Sequence, residues 1–300
     1  MRTAIRDVFE LVGRLGLPES LAHAAQAASQ SFSLFVPEEF LARMEPGNPR
    51  DPLLLQILPA AEETAPRDDF TKDPVHEFGG DSGNGLIHKY ANRALMVVHE
   101  TCAAHCRYCF RRHFPYAVTG PAHWDQALQL VADDNTLEEL ILSGGDPLTL
   151  GDDRLEELIQ KAGDIPQLKR LRIHTRLPIL IPQRITREFT DLLRQSRLQA
   201  WLVIHANHPR ELDAAVARSL SQIRDAGIPL LNQAVLLRGI NDDAHVLRDL
   251  CVRLVDVGVV PYYLHQLDRV AGAAHFEVKV ERGRELIQAL RNSLPGYAVP

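Results

Sequence analysis

A chain of 300 residues, 45% apolar and 24% charged, has room for one large α/β domain with an appendage. It contains no apolar run long enough for a membrane span, and a formal charge of −6 gives no reason to expect a nucleic-acid partner. Acidic residues in the first stretch, MRTAIRDVFELVGRLGLP, argue against a signal peptide, so a cytoplasmic location is expected.

In chain order, residues 3–16, 19–32 and 37–44 have helical spacing, the last opening on Pro37. Residues 45–59 carry four prolines and read as loop around one short apolar stretch. The glycine-rich FGGDSGNG, residues 78–85, is a turn region. It sets the expected boundary between an N-terminal, mainly helical region (1–82) and a core (83–300). Six strand–helix units follow, with strands expected at 93–100, 138–146, 168–175, 200–207, 228–237 and 259–268. Their partner helices are expected around 124–134, 153–163, 185–196, 209–227, 243–258 and 280–294. Such alternation implies a parallel sheet with crossover helices. All six strands end in polar residues or glycine, where an open doubly wound sheet would gather them at one switch point. The expected fold is therefore α/β, a partial (β/α)6 barrel.

The loop after the first of these strands, TCAAHCRYCFRR, holds Cys102, Cys106 and Cys109, three of the four cysteines, at C-x3-C-x2-C spacing. Three thiolates on one loop suit a soft metal centre. One reading is structural zinc, with His105 or His113 as the fourth ligand. The other is a [4Fe–4S] cluster with one iron left open to a substrate or cofactor. Cys251 lies in an expected amphipathic helix and reads as core.

C-x3-C-x2-C after the first strand, with aromatic Tyr108 before the last cysteine, resembles the signature of the radical S-adenosylmethionine superfamily. SGGDPL, one βα unit later, resembles that superfamily's second motif. The segments HKYANRALMVV, CRYCFRRHFPY, LSGGDPL, IHTRLPI, NQAVLLRGIND, PYYLHQLDRVAGAAHF and GYAVP together resemble lysine 2,3-aminomutase, most of all the branch that makes (R)-β-lysine for elongation factor P. The resemblance runs from about residue 35 to the end. It implies an isomerase acting on L-lysine with a [4Fe–4S] cluster, S-adenosylmethionine, pyridoxal phosphate and an electron donor. The tie to elongation factor P is implied only indirectly, through β-lysine.

Carried over by position, the resemblance makes Cys102, Cys106 and Cys109 the cluster ligands. Ser143, Gly144, Gly145 and Asp146 become contacts to S-adenosylmethionine, as do His205 and Gln233. Arg111 would grip the substrate carboxylate, a task suited to a planar guanidinium. Asp268 would bind the substrate ε-ammonium, and Lys89, Tyr90 and Arg93 would surround the pyridoxal phosphate. The family's Schiff-base lysine falls shortly after a segment like Val299-Pro300, so it is expected beyond Pro300. None of the five lysines here (Lys72, Lys89, Lys161, Lys169, Lys279) stands at its position. The competing expectations are a related enzyme acting on another amino acid and a zinc-stabilised module without catalysis.

Overall fold

The computed structural model describes residues 3–78 and 85–300. The boundary expected between 82 and 83 lies outside the described residues. The N-terminal part is helical, with α1 (Val8–Arg14), α2 (Glu19–Ser31), α3 (Glu38–Leu41) and α4 (Pro52–Leu55). Local chemistry sets two of the starts. Asp7 accepts hydrogen bonds from the first free N–H groups of α1, and Asp51 does so for α4, which opens on Pro52.

The core is one seven-stranded sheet whose strands lie side by side in sequence order. They are β1 (Leu86–Tyr90), β2 (Arg93–Val97), β3 (Glu139–Ser143), β4 (Arg170–Thr175), β5 (Gln199–Ile204), β6 (Leu230–Val235) and β7 (Val260–His265). β2 to β7 are all parallel. The crossover helices are α5 (Pro121–Asp133), α6 (Asp152–Gly163), α8 (Arg187–Gln195), α9 (Ala214–Asp225) and α10 (Ala244–Asp256), with a short extra helix α7 (Leu177–Leu180), and α11 (Val280–Ser293) follows the last strand. Order without reversal, and a row whose end strands do not meet, describe a partial (β/α)6 barrel rather than a doubly wound sheet.

Two details differ from expectation. β1 was not expected. It pairs antiparallel with β2, and most of its residues are exposed, so its sequence LIHKY carries no apolar alternation to announce a strand. The helix expected over 209–227 breaks into a short turn at Pro209–Glu211 and α9, because Asp213 caps a new start by accepting from the Val216 N–H.

β3 is buried along its whole length, as a parallel strand covered on both faces should be. Ile5, Leu11, Phe40, Leu53 and Ile57 pack into the same apolar core as Met96, Leu142, Ile173 and Leu202. The N-terminal helices therefore share the core of the sheet. That places them against the ends of the strands, where the polar residues gather.

Candidate active site at the carboxyl ends of the strands

The cysteine loop leaves β2 and is fastened from two sides. Trp124 of α5 is fully buried and donates to the Val98 carbonyl at 3.0 Å, while the Val98 N–H donates to the Ser143 carbonyl at 2.9 Å. The N-terminal region holds the other side. The His105 N–H donates to the Phe35 carbonyl and the Arg107 N–H to the Gln56 carbonyl. Arg107 is completely buried, and its guanidinium meets the Glu63 carboxylate at 2.8 and 2.6 Å. Arg112 meets the same carboxylate at 2.8 Å, and both arginines stack on the Phe32 ring. Two of the arginines around the cysteines are thus structural. Glu63 satisfies both, which is the condition for burying such charges.

All three loop cysteines are free thiols. Burial pushes the Cys102 thiol well up and that of Cys109 to about 11. The Cys106 and Cys109 sulfurs add to the rise at Cys102, and the Cys106 sulfur to that at Cys109. Thiols in such a setting ionise when a positive centre binds them. Among the described residues, no three His, Cys, Asp or Glu side chains converge as they would on a single ion. Each histidine offered as a fourth zinc ligand lies against a backbone carbonyl through one ring nitrogen. His105 lies against Phe32 and Phe35, with Nδ1 at 2.8 Å from the Ser33 carbonyl. His113 Nε2 stands 3.1 Å from the Ala271 carbonyl. The donor set, three thiols and no fourth protein ligand, fits a [4Fe–4S] cluster with an open iron. Cys251 is buried on α10, in core.

The SGGD loop after β3 lies directly on the stem of the cysteine loop. The Gly145 N–H donates to the His99 carbonyl and the Asp146 N–H to the Thr101 carbonyl, both at 2.8 Å. Gly144 has φ +130°, and a Cβ on Gly145 would come within 2.2 Å of the Thr101 carbonyl oxygen. The close approach these glycines permit is to this chain's own backbone. Gly145→Ala is therefore expected to displace the cysteine loop. It should cost more than about 3 kcal/mol, the range of severe overpacking. Chemical denaturation checks this, and a midpoint equal to that of the wild type would contradict it.

The Asp146 carboxylate is buried. It accepts from the Leu148 N–H at 3.0 Å, the Thr175 hydroxyl at 2.7 Å and the Arg176 N–H at 2.7 Å. It ties the end of β3 to the end of β4. Burial pushes its pKa up to about 6, against those hydrogen bonds.

A charged cluster forms beside the cysteines. Arg111 is 6% exposed and meets Glu77 with Nε at 2.7 Å and Nη2 at 2.9 Å, while Nη1 donates to the Ser143 hydroxyl at 2.8 Å. Glu77 was not foreseen. It sits on a tight turn in which Asp73 accepts from the Glu77 and Phe78 N–H groups, and Lys89 Nζ donates to the Val75 carbonyl of the same turn. No motif or periodicity marks it in the sequence. Asp268, after β7, is half-buried, and burial raises its pKa. Glu77 adds to that rise, while Arg111 and Lys89 oppose it. Arg111, Glu77, Asp268 and Lys89 thus share one neighbourhood. Tyr90 and Arg93 do not join it in the same way. They face each other across the β1–β2 hairpin, with the guanidinium 4.4 Å from the ring centre and Tyr90 62% exposed.

Across the inner side of the sheet, His205 Nε2 stands 3.0 Å from Gln233 Nε2, and the His174 ring meets the His205 ring edge-on. Burial, then the neighbouring Arg176, lowers His205 to about 3. Burial and His205 lower His174 well below 6.5. Both are neutral in the folded chain, whereas the unfolded chain takes up their protons below about 6.5. Stability contributed by these residues is therefore lost as pH falls from 6.5 towards 3. At pH 5.5 the pair therefore destabilises the fold, and Asp146, with its raised pKa, offsets part of that. His99, His265 and His275 are also lowered and act with the pair, while Asp268 acts with Asp146. The melting temperature is expected to fall by several degrees between pH 7.5 and 5.5, and a rise would contradict the assignment.

A parallel, sequentially ordered partial barrel with a three-cysteine loop after its first parallel strand has the radical S-adenosylmethionine fold. A crystal structure of Streptococcus suis SuiB bound to S-adenosylmethionine matches it at TM-score 0.51 and 15% identity, over 68% of this chain and 47% of that one. That likeness concerns the fold. No protein-family model matches the chain. Curated relatives do. The L-lysine 2,3-aminomutase of Haemophilus influenzae is 44% identical over 302 residues, covering 100% of this chain and 89% of that protein. That of Escherichia coli is 46% identical over 299 residues (99% and 87%), and that of Clostridium subterminale is 35% identical over 303 (100% and 73%). The chain belongs to the lysine 2,3-aminomutase family, isomerases of the radical S-adenosylmethionine class whose cofactors are a [4Fe–4S] cluster, S-adenosylmethionine and pyridoxal phosphate. No helix among the described residues is long and apolar enough to cross a membrane.

Proposed function

We propose that this protein converts L-lysine to (R)-β-lysine, and that the product supplies the modification of elongation factor P. One observation carries the substrate reading: beside the cysteine loop, the buried guanidinium of Arg111 lies within electrostatic reach of the half-buried Asp268 carboxylate. A substrate with a carboxylate at one end and an ammonium at the other suits that pair by charge. When bound, the cluster with S-adenosylmethionine supplies hydrogen-atom abstraction and return, and pyridoxal phosphate supplies a carrier for the migrating amino group.

The chain's own residues bind and orient. Cys102, Cys106 and Cys109 hold the cluster. Glu77 takes the Nε–Nη2 edge of Arg111 and Ser143 accepts from Nη1, which leaves one further N–H on each of Nη1 and Nη2 for the substrate carboxylate. Asp268 hydrogen-bonds no side chain among the described residues, and a substrate ammonium gives its buried charge a partner. Lys89, Tyr90 and Arg93 place positive charge and a phenol along the edge hairpin for a phosphate. His205, as a neutral imidazole, and Gln233 would hold S-adenosylmethionine together with the SGGD loop. A one-electron donor would supply the electron for a cluster held by these cysteines. This reading places the enzyme in the cytoplasm, where free thiols persist.

Anaerobic incubation of the full-length protein with L-lysine and the three cofactors, followed by chiral analysis, tests it. (R)-β-lysine is the expected product. The S isomer, or a preference for glutamate or arginine, would overturn the reading.

A further inference from the structure

Arg176 directly follows β4, one of the polar residues at the strand ends, and lies behind the cysteine loop. It is 7% exposed and its side chain forks. Nη1 lies 2.7 Å from the Cys106 sulfur, while Nη2 lies 2.6 Å from Gln56 Oε1 and 2.9 Å from Glu211 Oε2. Gln56 and Glu211 are fully buried. Glu211 Oε1 accepts from Gln56 Nε2 at 3.1 Å, the Asn207 N–H at 2.8 Å and the His208 N–H at 3.0 Å. Asn207 Nδ2 donates to Gln56 Oε1 at 3.0 Å and to the Tyr108 hydroxyl at 2.7 Å. Four separate parts of the fold thus fix one guanidinium against one sulfur: the segment after α4, the end of β4, the loop after β5 and the cysteine loop. Among the described residues, no side chain donates to the sulfur of Cys102 or Cys109.

We propose that Arg176 sets the reduction potential of the iron–sulfur cluster by donating a charged hydrogen bond to the Cys106 sulfur, with Gln56 and Glu211 fixing the direction of that donation. The proposal rests on the cluster reading of the cysteine loop. A cluster thiolate carries negative charge, and one-electron reduction adds to it. A cationic donor at the sulfur therefore stabilises the reduced state more than the oxidised one and raises the potential. That eases electron uptake from a one-electron donor protein, or from dithionite in vitro. A lysine cannot reproduce the arrangement, because its single ammonium cannot reach the sulfur, the amide and the carboxylate in one plane. Arg176 is a positioning and tuning residue; it acts through Cys106.

EPR-monitored redox titration of reconstituted wild-type protein, Arg176→Met and Arg176→Lys, alongside iron and sulfide analysis, tests this. Arg176→Met should hold the wild-type amount of iron yet titrate at a more negative potential. Arg176→Lys should shift the same way by less. Titration curves superimposable on the wild type would overturn the proposal. Should Arg176→Met take up no iron, Arg176→Lys decides: a negative shift supports the proposal and a wild-type curve overturns it. A wild-type protein that assembles no cluster would instead sink the reading of the cysteine loop itself, and this proposal with it.

Discussion

Replacing Cys109 by alanine is expected to abolish cluster binding and reduce lysine turnover to the assay floor, while the fold survives. The loop does not depend on the thiol for its shape. It is pinned by the Arg107 and Arg112 pairing with Glu63, by the Arg107 N–H to the Gln56 carbonyl, and by the His105 N–H to the Phe35 carbonyl. The stability of the metal-free protein should therefore change by less than about 1 kcal/mol. Bound iron should fall from about four atoms per chain to a small fraction of that, because two thiolates hold such a cluster poorly. Iron and sulfide analysis after anaerobic reconstitution, with a thermal melt of the metal-free form, separates the two effects. Full iron content in Cys109→Ala would remove this residue from the site.

Replacing Arg111 carries the second large effect. Arg111→Met should lower kcat/KM for lysine by about 10²- to 10⁴-fold, the usual consequence of removing one member of a buried charge contact. It also leaves Glu77, whose side chain is 9% exposed, without its cation, so part of the loss would be structural. The double variant Arg111→Met with Glu77→Gln separates these contributions. Its stability should recover while its kcat/KM stays low. Arg111→Lys should also be poor, because a point charge cannot meet Glu77 along one edge and a substrate carboxylate along another. A wild-type KM for lysine in Arg111→Lys would contradict the assignment of Arg111 to the substrate carboxylate.

The parts of this protein written in local sequence were legible from it. The C-x3-C-x2-C spacing, the glycine pair after β3 and the six strand–helix units each need only neighbouring residues to be recognised. The strand that escaped, β1, has no buried face along most of its length and is specified by its pairing with β2. The polar residues that escaped share another cause. Glu77, Gln56, Glu63 and Glu211 are ordinary loop or helix-end residues in the sequence. They acquire their roles only when the fold brings them 34, 120, 44 and 35 residues along the chain to Arg111, Arg176, Arg107 and Arg176. Such pairings leave no periodicity to read. The glycine pair is marked in the sequence, but the backbone that Gly145 approaches is not. Gly145 makes room for the Thr101 carbonyl of the cysteine loop, a contact set by tertiary packing alone.

The N-terminal helices gain a role from the same contacts. Glu63 holds two arginines of the cysteine loop and Gln56 holds Arg176, so the region acts as a brace for the candidate cluster site as well as a cover for the sheet. The most direct test of the whole account is EPR of the anaerobically reconstituted, reduced protein with and without S-adenosylmethionine. The account predicts a [4Fe–4S]⁺ signal whose g values change when S-adenosylmethionine is added, because one iron is free to receive it. A protein that binds zinc and no iron, or a cluster signal indifferent to S-adenosylmethionine, would contradict it.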